Sequence, residues 1–336
     1  MLALYFRGNG QIELRDVPRP TAKGTEVVVR VRAASICGSD REPLRGEGQR
    51  SIPGHELAGE VAEADRTTSI REGDRVAINC HVTCGHCEHC HHGDLFFCPE
   101  LEVIGIDRDG GYAEYVLVPE RCCMPLPDDL SYDTGALMVD MLGTAYHAVK
   151  RAHLMPGDFI AIWGAGPIGL ATLLVAKQYG VRAASIDLNG YRLRMASQLG
   201  ADHILNPHSG DAMGMLLDLT HGRGVDAAFE CAGNETAVLQ ALDIARKRGK
   251  VVLIGVSHKV GVNPWEHFIR KELMMYGSRN FNAREYEEML LLVRRGLPID
   301  AIITHRFPLT EAKEAFDVFS RGNCGKVIIS PWVGVK

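Results

Sequence analysis

Four cysteines lie close together in a short polar segment, and their spacing is typical of a metal site. The thiols between residues 84 and 98 follow the pattern C-x2-C-x2-C-x7-C. Four thiolates can bind one Zn²⁺ tetrahedrally, and this closed geometry belongs to structural zinc sites. The candidate ligands are Cys84, Cys87, Cys90 and Cys98. The histidines between them are rival ligands, but thiolates usually prevail in structural sites, so we expect these histidines to be solvated.

Cys37 and the pair His55-Glu56 suggest a second metal site. Alone, each has a simpler interpretation, as a buried thiol and as a histidine satisfied at a turn. Together with the nucleotide turn described next, they suggest a catalytic zinc, which uses three protein ligands and keeps a fourth position open. Asp140 is the best candidate for the third ligand, because it interrupts the apolar stretch 137–142, where an unpaired carboxylate is costly to bury. The pattern alone leaves open an exposed Asp140 on the polar side of a helix.

A glycine-rich turn at residues 164–169 predicts a dinucleotide site. It follows the apolar run Phe159–Trp163 and opens a predicted helix. At this spacing, Gly164 permits the tight turn, Gly166 allows the backbone to approach a pyrophosphate, and Gly169 allows close helix packing. The helix N-terminus then binds the phosphate charge. The candidate residues of the turn are Gly164, Gly166, Pro167, Ile168 and Gly169.

An acid at the end of the next predicted strand favours NAD over NADP. Asp187 follows Gly169 by eighteen positions, where a carboxylate accepts hydrogen bonds from the ribose hydroxyls and repels a 2′-phosphate. Arg192 lies nearby in sequence and has two interpretations, packing over the adenine or holding a 2′-phosphate. With Asp187 present, we favour the first.

Composition excludes several classes of function. The chain has 336 residues, enough for two domains, with 46% hydrophobic and 24% charged residues and a net charge of −5. Such a charge offers no basic surface for nucleic acid or an anionic membrane. The first residues lack the long apolar core of a signal peptide, and no apolar run approaches twenty residues. We therefore expect a cytoplasmic protein.

The order of predicted elements indicates two kinds of domain. The first 120 residues alternate short strands with glycine-rich turns, which suggests a partly open barrel. From Ser131 the periodicity becomes helical, and strands then alternate with helices, which predicts βαβ units and a parallel sheet. The predicted strands are 159–163, 182–187, 226–230, 250–255 and 273–277. The helices are 167–179, 190–199, 211–220, 234–247 and 265–272. A helix at 282–295, a strand at 301–306, a helix at 310–321 and a strand at 326–329 complete the chain.

These motifs, in this order, resemble the zinc-dependent medium-chain alcohol dehydrogenases along nearly the whole chain. The match includes the segments Cys37–Asp40, Gly54–Gly59, Gly73–Val76, Thr304–Leu309 and Gly325–Ile328. The resemblance implies an α/β fold with a doubly wound Rossmann domain inserted in a β-rich, GroES-like catalytic domain. The implied boundaries are 1–142 for the first part of the catalytic domain with a zinc lobe at 80–100, 143–277 for the NAD domain, and 278–336 for the second part.

The resemblance also implies roles for individual residues. Asp140 looks like the carboxylate ligand of the threonine and sorbitol dehydrogenase branch, so Cys37, His55 and Asp140 would hold the catalytic zinc, the first of two per chain. Glu56 would be a nearby carboxylate or an exchangeable fourth ligand, and Ser39 would receive the substrate proton. Asp40 would accept a hydrogen bond from His55.

Some positions depart from the family pattern. Glu42 stands where related enzymes commonly carry a relay histidine, and its carboxylate could serve as the relay base instead. Met141 replaces a usual proline. The loop between Cys37 and His55 is shorter than in sorbitol or threonine dehydrogenases, so substrate specificity cannot be transferred from either.

Three functional hypotheses follow. The first is NAD-dependent oxidation of a secondary alcohol to a ketone, with a polyol, cyclitol or aminocyclitol as the main expectation and a threonine-type hydroxy amino acid as the alternative. The second is a non-enzymatic zinc-binding module, which the charge of the cysteine segment disfavours. The third is a zinc-free reductase of the same superfamily. The resemblance further implies a homodimer or homotetramer paired through residues 251–262 and 273–277.

Overall fold

A computed structural model describes residues 1–332, and the chain forms two compact units. Unit 1 comprises Met1–Asp140, Asn282–Leu290 and the chain from Ile303 onward. Unit 2 comprises Met141–Phe281 and Leu291–Ile302. The observed division therefore differs from the sequence-based one at the C-terminal part, because residues 291–302 group with the second unit.

The strands and helices are as follows. The strands are β1 (Leu2–Gly8), β2 (Gln11–Asp16), β3 (Glu26–Ser35), β4 (Glu56–Ala64), β5 (Arg75–Ile78), β6 (His81–Val82), β7 (Glu102–Val103), β8 (Tyr115–Pro119), β9 (Cys123–Pro125), β10 (Phe159–Trp163), β11 (Arg182–Ile186), β12 (His203–Leu205), β13 (Val225–Glu230), β14 (Ala245–Leu253), β15 (Met274–Gly277), β16 (Ile303–Pro308) and β17 (Lys326–Ser330). The α-helices are α1 (Arg41–Arg45), α2 (Glu88–His92), α3 (Tyr132–Leu137), α4 (Gly143–Ala152), α5 (Pro167–Lys177), α6 (Gly190–Gln198), α7 (Ala212–Leu219), α8 (Glu235–Ile244), α9 (Glu285–Arg294) and α10 (Ala312–Arg321).

Unit 2 contains a six-stranded parallel sheet in the order β12-β11-β10-β13-β14-β15. This is the doubly wound order 3-2-1-4-5-6, which reverses direction between β10 and β13. All five residues of β10 are buried, as expected for a central strand of a parallel sheet. In such sheets, ligands bind outside the carboxyl ends of the strands at the reversal point, which is where the glycine turn follows β10.

Unit 1 is built on a seven-stranded sheet whose central strand, β3, pairs with β4, β8 and β17. Alternate residues of these strands bury an apolar core with α10, in which the rings of Phe6, Tyr112 and Phe316 contact one another at angles between 60° and 89°. The C-terminal end of β3 and the start of β4 are paired, Ser35 with Glu56. This pairing brings the segments after Ser35 and before Glu56 to one edge of the sheet.

The cysteine segment forms a small lobe between two short strands. β6 and β7 pair antiparallel, His81 with Val103 and Val82 with Glu102. Between them lie α2 and a 3₁₀ turn at Leu95–Phe97. The lobe has little apolar core of its own, since α2 and this turn contain no buried residue.

Most predicted elements are present, with small shifts at their ends, but three features differ from the sequence-based expectation. The continuous helix expected after Ser131 is divided by a π-helical segment, Met138–Leu142. The helix expected at 265–272 is a single π-helical turn, Trp265–Ile269. β12, with three residues, has no counterpart among the predicted strands. Among residues 1–332, no helix has the length and apolar character needed to span a bilayer.

Candidate functional site

The four cysteines of the lobe converge on one point. Their sulfur atoms all lie within 4.8 Å of one another, with 3.8 Å between Cys84 and Cys90 and 3.5 Å between Cys87 and Cys90. Tetrahedral coordination with Zn–S bonds of about 2.3 Å requires sulfur atoms roughly 3.8 Å apart. The donor set and its spacing therefore fit a zinc ion. The four histidines of the segment, His86, His89, His91 and His92, are all exposed.

A second donor set lies at the edge of the main sheet of unit 1. Cys37 lies two residues after the end of β3, His55 immediately precedes β4, and Asp140 lies in the π-helical segment. Oδ2 of Asp140 is 3.5 Å from the sulfur of Cys37 and 3.7 Å from Nε2 of His55. The side chain of Asp140 is only 14% exposed, which excludes the exposed alternative. A thiolate, an imidazole and a carboxylate at these distances fit a zinc with one open position.

Local structure explains why Asp140 reaches this cluster. The extra residue of a π-helical turn rotates the side chains that follow, and such turns are frequent at functional sites. Burial raises the pKa of Asp140, but the hydrogen bond and charge of His55 lower it by more. The pKa of Asp140 therefore lies well below its ordinary value. Burial disfavours the charged form of His55, yet Cys37 and Asp140 hold its pKa well above the ordinary value. The carboxylate therefore remains ionised and available to a metal.

Glu56 lies within 4.8 Å of the same donors, but its two oxygens already have partners. Oε1 accepts a hydrogen bond of 2.6 Å from Nζ of Lys326, and Oε2 accepts one of 2.5 Å from the hydroxyl of Ser35. Lys326 also donates to Oε2 and to the carbonyl oxygen of Ile36 at 3.1 Å. Both charged side chains are buried, with at most 2% exposure. Burial alone lowers the pKa of Lys326, but Glu56 raises it, so the lysine stays charged.

Lys326 is the main site residue that the sequence analysis missed. It had appeared only as part of the matching segment 325–328. The available signal was a single lysine at the start of the apolar strand β17, where a charge needs a buried partner. Its partner could not be identified from the pattern, because 270 positions separate the two residues.

The expected hydrogen bond between Asp40 and His55 is wrong. Oδ2 of Asp40 accepts instead from the backbone N–H of Cys37 at 2.9 Å and from the hydroxyl of Tyr112 at 2.6 Å. Burial and the carboxylate of Asp40 raise the pKa of Tyr112 well above its ordinary value, so the phenol remains a donor. Asp40 thus fixes the backbone of the ligand Cys37 rather than the tautomer of His55.

The two proposed relay residues differ in position. The hydroxyl of Ser39 lies 3.4 Å from Nε2 of His55, at the cluster, and is exposed. Glu42 is exposed on α1 and lies outside the cluster. The structure therefore brings Ser39, but not Glu42, to the metal donors.

The glycine turn has the geometry that a pyrophosphate site requires. Gly164 adopts a φ of 88°, and a Cβ at Gly169 would overlap the carbonyl oxygen of Gly164. Gly166 is the N-cap of α5, and Pro167 opens the helix. No side chain caps the N-terminus of α5, so its first N–H groups are available to a phosphate.

Asp187 and Arg192 both lie at this turn. Asp187 accepts hydrogen bonds from the N–H of Ala165 at 2.7 Å and of Asn189 at 2.8 Å, one on each oxygen. Each oxygen keeps a lone pair for a ribose hydroxyl. A Cβ built on Gly166 would lie 3.7 Å from a guanidinium nitrogen of Arg192, and Nε of Arg192 is buried without a hydrogen-bond partner. The turn therefore has one carboxylate and one guanidinium, whose Nε lacks a hydrogen-bond partner, close to the expected phosphate position.

Fold and site together define a class of protein, the two-unit zinc dehydrogenases with a dinucleotide-binding sheet. Residues 23–128 match the family model of the alcohol dehydrogenase GroES-like domain, and residues 167–295 match that of the zinc-binding dehydrogenases. The chain is 34% identical to an L-threonine 3-dehydrogenase of Symbiobacterium thermophilum over 95% of its length and 94% of that protein. The chain belongs to the zinc-dependent medium-chain alcohol dehydrogenase family.

Two solved structures are similar over nearly the full chain. One is described as a zinc-binding dehydrogenase from Sinorhizobium meliloti 1021 bound to NADP, with 32% identity, a TM-score of 0.89 and coverage of 98% and 99% of the two chains. The other is galactitol-1-phosphate dehydrogenase from Escherichia coli, with 26% identity, a TM-score of 0.90 and coverage of 98% and 100%. These comparisons establish a zinc-type oxidoreductase that acts on CH–OH groups.

Proposed function

We propose that this protein oxidises a secondary alcohol whose neighbouring carbon carries an amino or hydroxyl group, with L-threonine as the first substrate to test. The observation that carries this proposal is the similarity to L-threonine 3-dehydrogenases along 95% of the chain. The sequence analysis placed polyols first and threonine second. The curated relatives favour the reverse order.

Each side chain of the metal cluster has a task in this proposal. Cys37, His55 and Asp140 would hold a zinc ion, which would supply Lewis-acid chemistry at the substrate hydroxyl. Ser39 accepts the hydroxyl proton and passes it to solvent, because its Oγ lies beside the liganding His55 nitrogen and is exposed. The glycine turn of unit 2 would hold the dinucleotide, which would supply the hydride acceptor.

The charges of the cluster support an open fourth position. The thiolate of Cys37 and the carboxylate of Asp140 together balance the two charges of Zn²⁺. Glu56 is already balanced by Lys326. If Glu56 bound the metal, its carboxylate would interact less strongly with Lys326. The buried charge of Lys326 would then lack full compensation, which costs free energy. We therefore assign Glu56 a positioning role beside the site rather than that of a ligand.

A polyol is the second candidate substrate. The similarity to galactitol-1-phosphate dehydrogenase supports it. The loop between Cys37 and His55 connects two of the metal donors, and Gln49 in this loop donates a hydrogen bond to the carbonyl oxygen of Gly105 at 2.9 Å. The resemblance implies that this loop is shorter than in sorbitol or threonine dehydrogenases, so we propose it as the element that decides between the candidate substrates.

We further propose NAD as the preferred cofactor and two zinc ions per chain. The carboxylate of Asp187 supports NAD, while Arg192 and the NADP-bound relative support a measurable reaction with NADP. The four-cysteine lobe and the Cys37 cluster supply the two zinc sites.

One assay tests substrate and cofactor together. Reduction of NAD and of NADP is followed at 340 nm with L-threonine, D-threonine, galactitol, sorbitol and a cyclitol. The proposal expects kcat/KM to be highest for L-threonine with NAD. Activity confined to polyols would establish the second candidate, and activity on neither would overturn the substrate proposal while leaving the zinc content as an independent check.

We also propose that the protein forms a homodimer or homotetramer through unit 2. β15 is an edge strand of the parallel sheet, and Met274 and Met275 on it are 50% and 38% exposed. Trp265 and Ile269, just before it, are 58% and 62% exposed. An exposed edge strand with apolar neighbours is a template for pairing with a second copy.

A further inference from the structure

The zinc lobe contains a second group of metal donors that the four-cysteine site does not use. The thiol of Cys84, the imidazole of His86 and the carboxylate of Glu100 each offer a ligand atom, and these atoms lie within 4.8 Å of one another. His86 and Glu100 are exposed, whereas Cys84 is half-buried. The group, which we call the outer triad, therefore shares Cys84 with the inner site and faces solvent.

The strand pairing of the lobe explains why Glu100 lies beside Cys84. In the β6–β7 ladder, His81 pairs with Val103 and Val82 with Glu102. Continued by two residues on each strand, this register places position 84 opposite position 100. The ladder ends at Val82 and Glu102, so it brings the two chain segments together, and the side chains of Cys84 and Glu100 complete the approach.

A cavity opens onto the same two residues. It has a volume of about 510 Å³, and its walls include Cys84 and Glu100. Cys98, by contrast, is buried. Cys87 and Cys90 are half-buried like Cys84, but Cys84 is the cysteine of the inner site that lines this open space, together with Glu100 and the side chains of Arg108 and Arg121.

His86 is oriented so that one ring nitrogen can bind a metal. Its Nδ1 lies 3.1 Å from the carbonyl oxygen of Cys84. A carbonyl oxygen only accepts, so Nδ1 carries the proton and Nε2 carries the lone pair. A neutral imidazole held in this tautomer by a backbone carbonyl is the usual form of a zinc-binding histidine.

The closed inner site creates a need for such a route. Four thiolates fill the coordination sphere of zinc, so the ion passes through partly coordinated states as it enters or leaves, and nearby donors can stabilise them. A site that keeps one thiolate of the final set and adds two exposed donors provides this intermediate coordination.

We propose that Cys84, His86 and Glu100 form an outer zinc site through which the ion enters and leaves the four-cysteine site. In the outer site, the ion is held by the thiolate, the imidazole, the carboxylate and one water. The thiols of Cys87, Cys90 and Cys98 then replace the water, the carboxylate and the imidazole in turn. Cys84 releases its thiol proton to solvent when it binds the ion in the outer site, each of the other three thiols does so when it binds, and no electron is transferred.

The test follows metal exchange in the intact holoprotein. Excess Co²⁺ is added, and the rise of thiolate-to-cobalt charge-transfer absorption, which four thiolates dominate, reports replacement in the inner site. His86→Ala and Glu100→Gln are each expected to slow the exchange by about tenfold or more. The final absorption, and zinc content measured before exchange, are expected to equal those of the unsubstituted protein.

His89→Ala and Glu88→Gln are the matched controls. Both residues are exposed on α2 and lie outside the outer triad, so their substitutions leave the exchange rate unchanged. The proposal is overturned if the triad variants exchange at the normal rate, or if the controls slow exchange equally. It is also overturned if the triad variants lose zinc at equilibrium, since the two side chains would then be permanent ligands. None of these readouts depends on the substrate.

Discussion

Lys326 and Glu56 form a buried ion pair beside the candidate catalytic metal site, with Nζ of the lysine 2.6 Å from Oε1 of the glutamate. The pair joins β17, near the C-terminus, to the first residue of β4. Lys326 neutralises Glu56, the carboxylate of the cluster that is not needed to balance the charge of the proposed zinc ion. The stability of unit 1 and the composition of the metal site are therefore linked through this contact.

Substitution of Lys326 by Met is expected to destabilise the protein by about 3–5 kcal/mol, because it leaves the carboxylate of Glu56 buried without its partner. The free energy of unfolding, measured by urea denaturation, checks this value. The double substitution K326M/E56Q is expected to recover part of the loss. Lys177→Met is the control, because Lys177 pairs with Asp202 at 2.8 Å on the surface, and such a pair contributes about 0–1 kcal/mol. Equal losses in both lysine variants would contradict the role of burial.

Substitution of Asp140 by Ala is expected to remove one of two zinc ions and to lower kcat/KM by about 100-fold or more, because a catalytic zinc needs three protein ligands. Zinc is counted by mass spectrometry of the purified protein. Asp133→Ala is the control, since Asp133 lies on the adjoining helix α3 and pairs with Arg306 at 2.6 Å, away from the metal donors. If the Asp140→Ala variant kept two zinc ions and full activity, Asp140 would not be a zinc ligand.

The sequence was sufficient where function follows from local spacing. Gly164, Gly166 and Gly169 predict the turn because each has a steric task within six residues, and β10 is buried along its whole length as its apolar run predicts. The cysteine segment is similar, since all four sulfur atoms come from one short loop. In these cases the chain segment that carries the pattern also forms the site.

The sequence was insufficient where distant segments meet. The partner of Glu56 could not be read from the chain, because Lys326 reaches it only through the pairing of β17 with β3. Asp40 was assigned to His55, but the folded chain gives it Tyr112, which is 72 positions away. The π-helical turn that contains Asp140 also has no signature in the apolar pattern of residues 137–142.

Cofactor preference depends on the charge of Asp187. Asp187→Asn keeps an oxygen to accept the N–H of Ala165 and removes the negative charge. A unit charge about 4 Å from a phosphate changes the interaction by about 1–4 kcal/mol. We therefore expect the ratio of kcat/KM for NADP to that for NAD to rise roughly tenfold or more. Addition of Arg192→Ala is expected to cancel most of this gain, because its guanidinium lies beside the turn. An unchanged ratio in D187N would contradict the assignment.

Oligomerisation is expected to depend on β15. Met275→Lys places a charge on the exposed edge of the sheet and is expected to shift the protein toward a monomer, as measured by light scattering after size-exclusion chromatography. Leu217→Lys is the control, because Leu217 is 41% exposed on α7, away from that edge. A normal oligomer in M275K, or a monomer in both variants, would refute pairing through β15.

Acid stability of unit 2 is expected to depend on Asp226, which is 7% exposed at the start of β13. Burial raises its pKa, but hydrogen bonds from Arg223, Phe159 and Arg246 outweigh this and lower the pKa from 3.8 to about 2. The folded pKa is depressed, so the stabilisation is complete above the unfolded value near pH 4 and is lost as the pH falls through about 2.

The size of this effect is on the order of 2 kcal/mol at neutral pH, from a depression of about two pKa units. Asp226→Asn is expected to lose at least this amount at pH 7 and to show a flatter decline in unfolding free energy between about pH 5 and pH 2. Asp218→Asn, at an exposed position of α7, is expected to keep the full decline. If the unfolding free energy of D226N fell with pH as steeply as that of the unsubstituted protein, the protonation of another carboxylate would control acid unfolding.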